Sequence, residues 1–100
     1  MTHHTESETQ MSSDIDLKAC TILERLSTEL RDARIDYTCT QDMHEFMVTT
    51  GGLTHELGFS ERVLELENLP DIEQVVSRLA AEIKDSAAPR RIRVAPRKPA

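Results

Sequence analysis

Two runs of alternating apolar and polar residues meet at Gly51-Gly52, in the stretch HEFMVTTGGLTHELGF (44–59), and this alternation limits the possible folds more than any other feature of the chain. A period of two sends successive side chains to opposite faces of a strand. A two-residue type I′ turn needs positive φ at both central positions, which glycine adopts without steric cost. With Gly51-Gly52 in that turn, Thr50 falls opposite Leu53, Val48 opposite His55, and Phe46 opposite Leu57. A second turn at Gln41-Asp42 sets Cys39 opposite His44, Tyr37 opposite Phe46, and Ile35 opposite Val48. Both turns bring the apolar partners to one face, and a slip of one residue in either would rotate that face into solvent. The expectation is a three-stranded antiparallel meander with Ile35, Tyr37, Cys39, His44, Phe46, Val48, Leu53, Leu57 and Phe59 on its buried side. Gly58, inside the last strand, points to a bulge or a close approach.

Helical periodicity flanks the meander. SSDIDLKACTILERLSTELRDARI (12–35) offers a cap at Ser12 or Ser13, acids at Asp14 and Asp16 beside the positive end of the helix dipole, and an apolar stripe through Ala19, Ile22, Leu23, Leu26 and Leu30,. This helix is expected to end around Arg34. After Phe59, a cap-like Ser60 leads into a short apolar cluster at Val63, Leu64 and Leu66. A second main helix follows, capped by Asn68, with Pro70 in its first turn and a stripe of Ile72, Val75, Val76, Leu79, Ala80 and Ile83 ending near Asp85,. One apolar stripe per helix and one apolar face on the sheet predict an α+β domain, αβββα, with two helices packed on one face of the meander.

Residues 1–11 carry almost nothing to bury and are expected to be disordered,. Residues 12–85 form the single domain. Residues 86–100, SAAPRRIRVAPRKPA, read as a basic Pro/Arg-rich flexible tail, with Ile92 and Val94 able to add a short edge strand. A core this small leans toward self-association, and a homodimer is expected. No window approaches the ~18 apolar residues of a membrane helix, and MTHHTESETQ lacks a basic start followed by an apolar run, so no membrane role and a cytoplasmic location are expected,. Cys20 and Cys39, without CxxC spacing, read as reduced, partly buried thiols.

Charge is unevenly distributed. Residues 1–85 hold 18 acids against 7 Lys/Arg, whereas residues 86–100 hold five Lys/Arg and no acid. An acidic body repels nucleic acid; Arg90, Arg91, Arg93, Arg97 and Lys98 attract it weakly and nonspecifically. The element order resembles that of double-stranded RNA-binding domains, but those place lysines at the start of the last helix, where this chain has NLPDIEQ with Asp71 and Glu73,. An aromatic platform for single strands is missing too. The open sheet face carries Asp36, Thr38, Thr40, Glu45, Met47, Thr49, Thr54 and Glu56, with no aromatic and no Lys/Arg.

Chemistry has few candidates. Cys39 and His44 face each other across a strand pair, but a structural zinc site wants four ligands at close paired spacings, and nucleophilic catalysis wants a third, orienting group and an oxyanion-binding loop. A lone Gly-Gly between alternating runs is a hairpin turn, since neither a helix N-terminus nor a lysine follows it. No cofactor or metal is expected. The expected function is a small non-enzymatic accessory protein, such as an adaptor, inhibitor or small chaperone of a basic partner, binding through Asp36, Thr38, Glu45, Met47, Thr49, Thr54 and Glu56. The alternatives are a nucleic-acid accessory protein acting through the basic tail and a small enzyme or metal protein using Cys39 and His44.

Overall fold

A computed structural model describes the backbone of residues 3–96 and the side chains from Asp14 onward. The chain runs α1 (His3–Glu29), β1 (Arg34–Thr40), β2 (Met43–Thr50), β3 (Leu53–Ser60), α2 (Glu61–Leu66), α3 (Leu69–Lys84) and β4 (Arg91–Val94). The four strands form one sheet in the order β1-β2-β3-β4, and α1 and α3 pack on one side of it.

The meander forms in the expected register. Gly51 and Gly52 adopt φ of 61° and 78°, and Thr50, Val48 and Phe46 pair with Leu53, His55 and Leu57. Across the Gln41-Asp42 turn, Cys39 pairs with His44, Tyr37 with Phe46, and Ile35 with Val48. Pairing is continuous through Gly58, opposite Glu45, so its reading as a bulge or a close approach is corrected: a Cβ there would make only ordinary van der Waals contacts, the nearest 3.5 Å from the Met43 sulfur.

Burial follows the expected face with three differences. His44, Phe46, Val48, Leu57 and Phe59 are buried beneath Ile22, Leu26, Val76 and Leu79, while Ile35 and Leu53 are half-buried. Tyr37 and Cys39 are exposed, because β1 is an edge strand with no neighbouring strand on its outer side. His55, paired with Val48 on the same face, is buried at 1% exposure although its polarity kept it off the expected list. Cys20 is exposed as well, so neither thiol is partly buried as expected.

The two ends of the chain extend the expected elements. Helical backbone begins at His3 rather than at Ser12 or Ser13; no proline or glycine interrupts His3–Ser13, and extending an existing helix costs far less than nucleating one,. Residues 1–2 lie outside the described residues. The helix stops at Glu29, short of Arg34, because Ala33 N donates to Leu30 O at 3.1 Å in a tight turn and every residue from Arg34 to Thr40 is taken up in pairing with β2. At the other end, the short edge strand that Ile92 and Val94 were able to add forms as β4, parallel to β3, with Leu57 opposite Ile92 and Phe59 opposite Val94. The crossover that parallel pairing requires is made by α2 and α3,. Ser60 and Asn68 cap these helices, their side chains accepting from Val63 N at 3.2 Å and Asp71 N at 3.1 Å. In the short apolar cluster, Val63 and Leu64 are buried and Leu66 is exposed.

Candidate functional site

The side of the sheet opposite the helices gathers every residue expected to meet a partner. Asp36, Met47 and Glu56 form one cross-strand row, Thr38 and Glu45 another, and Thr49 and Thr54 a third, with their hydroxyls 3.2 Å apart. Asp36, Thr38 and Thr54 are exposed and the others half-buried. This face is not free of cations, contrary to the expectation. Arg34 lies on it 3.5 Å from Asp36, and β4 sets Arg91 beside Glu56, also at 3.5 Å, and Arg93 beside Gly58. Among the described residues, Asp36 and Glu56 are thus paired with arginines, and Glu45 has no ion pair.

The expected basic cluster is largely engaged. Arg90 contacts Glu82 at 3.2 Å, and Arg91 contacts Glu56. Arg97 and Lys98 lie outside the described residues.

Around His44 the structure brings together more than the expected pair. The imidazole is 2% exposed, its Nδ1 lies 2.6 Å from the Tyr37 hydroxyl, and the two rings stack with centroids 5.9 Å apart. Its Nε2 is 4.0 Å from Cys39 Sγ and 3.7 Å from Glu61 Oε1. Partial burial, followed by the hydrogen bond and charge of Cys39, pushes the Tyr37 phenol up to about 12, so it remains a neutral hydroxyl at neutral pH. Tyr37 is the third member of this cluster, which sequence reasoning did not find. It precedes Cys39 by two residues and therefore shares its face, a signal available from the alternation alone. Glu61 was missed because it reaches the cluster only through the turn from β3 into α2.

His55 has a different task. Its Nδ1 accepts from the backbone N–H of Arg90 at 3.1 Å, while Glu56 N donates to Arg90 O at 2.8 Å, so the chain entering β4 is held on both sides. Burial, reinforced by the Arg90 charge, lowers the His55 pKa below its ordinary 6.5. The folded protein therefore prefers the neutral ring, whereas the unfolded chain takes up a proton near 6.5. Stability from this site is fully present above about 6.5 and declines as pH falls from there toward the lower folded value. Urea midpoints measured from about pH 8 to about pH 5 should fall on the acid side, and His55→Gln should flatten that decline. An equal acid-side decline in both proteins would remove His55 as its source.

A cleft of about 880 Å³ runs along α3 and β4, lined by Arg25, Glu73, Arg78, Ile92 and Arg93 among others. It contains neither cysteine nor histidine and is separate from the His44 cluster. Among the described residues, no group of three or more His, Cys, Asp or Glu side chains is placed to hold a metal ion, and no helix is long and apolar enough to cross a membrane. The chain matches no protein-family model and no curated protein.

Proposed function

We propose that this chain is a small non-enzymatic accessory protein that binds another protein through the uncovered face of its sheet, and that it also associates with itself. The observation that carries this reading is the one-sided layering: α1 and α3 cover one face of a four-stranded sheet, and the other presents Met43, Met47 and threonines among charges of both signs. Methionine adapts to irregular partner surfaces, and threonine hydroxyls hydrogen-bond in either sense. Glu45, the carboxylate of this face without an ion pair among the described residues, directs the preference toward a partner that supplies a cation there.

A photo-crosslinking residue placed at Met47 tests the reading in cells, with the same residue at the exposed Glu24 of α1 as the reference. A discrete protein adduct from position 47, absent from position 24 and weakened by Glu45→Lys, is the expected result. Equal adducts from both positions, or none from 47, would overturn it. Light scattering of the purified chain, compared with its 11.3 kDa mass, measures the self-association separately.

A further inference from the structure

We propose that Cys39 is a reactive thiol, served by His44 as general base and modified stoichiometrically by low-molecular-weight disulfides. An activated nucleophile is recognised by a base within hydrogen-bonding reach and a third group that orients the base, and such contacts are often loose until a reactant binds. All of these parts are present. Cys39 is exposed and open to a reactant, whereas His44 is buried and fixed in place. The 2.6 Å contact and the stacked rings hold the imidazole against Tyr37. In the tautomer whose Nδ1–H donates to the Tyr37 oxygen, the one this proposal requires, Nε2 presents a bare lone pair toward the sulfur at 4.0 Å,. Once Nε2 has taken the proton, the Glu61 carboxylate at 3.7 Å stabilises the resulting imidazolium,.

The chemistry balances without a further reactant. As Cys39 Sγ attacks one sulfur of R–S–S–R, its proton passes to His44 Nε2. The Cys39–S bond to SR forms, the R–S–S–R bond breaks, and the departing RS⁻ collects the proton from His44. Cys39–SH and R–S–S–R thus become Cys39–S–S–R and RSH, and one adduct per chain is the end point. This site lies on the helix side of the sheet and is independent of the partner-binding face proposed above.

Cys20 provides an internal comparison: it is exposed on the same molecule and lies near Tyr37, but no hydrogen bond joins it to a histidine among the described residues. The full chain is treated with limiting oxidised glutathione near neutral pH, and the adduct at each cysteine is followed by peptide mass spectrometry. Cys39 should react roughly tenfold faster than Cys20, or more. Tyr37→Phe, which removes only a hydroxyl from a partly exposed ring, is expected to lower that ratio severalfold through a slower Cys39 reaction; His44→Gln, where it folds, should abolish the advantage. Equal rates at the two cysteines, or a ratio unaltered in Tyr37→Phe, would overturn the assignment, because exposure alone would then account for the reactivity.

Discussion

Phe46→Ala is expected to lower the unfolding free energy by about 4 kcal/mol, and Thr49→Ala, three residues along the same strand, by less than about 1 kcal/mol. The contrast follows from the face each residue occupies. Phe46 is fully buried, with Phe59 edge-on at 5.8 Å and Tyr37 tilted at 5.0 Å, so truncation loses the transfer free energy of a phenyl ring and leaves a cavity between sheet and helices,. Thr49 is half-buried on the opposite face, and its hydroxyl shares a hydrogen bond with Thr54 that water can replace,. Urea denaturation of the two variants and the parent decides the matter. Similar losses at both positions would mean that the face assignment fails.

Lys18→Met should cost about 3 kcal/mol, an unusual figure for a lysine. Its side chain is 8% exposed, and its ammonium donates to the carbonyls of Leu64 at 2.6 Å and Glu67 at 3.0 Å, with Asp14 at 3.6 Å. These carbonyls lie at the C-terminal end of α2, where a helix runs out of backbone donors and its dipole is negative,. The lysine of α1 thus serves as the C-terminal cap of α2 and ties the two elements together. Methionine keeps the apolar stem and removes every donor, leaving the acceptors unsatisfied. Thermal melts should show the loss clearly, and a variant within about 0.5 kcal/mol of the parent would show that water substitutes for the ammonium.

What could be read from the chain and what could not divide along physical lines. The hairpin register was legible because glycine chemistry and a period of two independently specified the same face, and a wrong register would have buried Glu45 or Glu56. The site residues on the open face were placed by the same logic. Lys18 and His55 were not legible. Lys18 stands on the apolar stripe between Ile15 and Ile22, and His55 stands opposite Val48, yet a polar residue at an apolar position reads as an interruption until its partner is known. Those partners, the end of α2 and the start of β4, are distant in sequence, and no local pattern links them. Strand β4 was legible only in part: Ile92 and Val94 offered an edge strand, but its parallel pairing with β3 depends on the α2–α3 crossover. The Cys39–His44 pairing came from the register, whereas Glu61 joined it through a change of direction that alternation does not describe.

Strand β4 also bears on how far copies of this protein can join. It covers the edge of β3 and offers its own outer edge in exchange, with Arg91 and Arg93 alternating with Ile92 and Val94. An antiparallel copy of β4 that matched apolar face to apolar face would center on Ile92 or on Arg93. The first arrangement sets Arg91 against Arg93 of the other copy, and the second sets Arg93 against Arg93. Like charges opposed across strands are destabilising, so this edge resists its own kind. The far edge, β1, carries no such guard: centered on Tyr37, an antiparallel copy sets Asp36 against threonine and Ile35 against cysteine. Growth into a ribbon requires two receptive edges on every copy. With one edge guarded, joining through β1 closes at a pair, and the sheet is kept from propagating into a fibre.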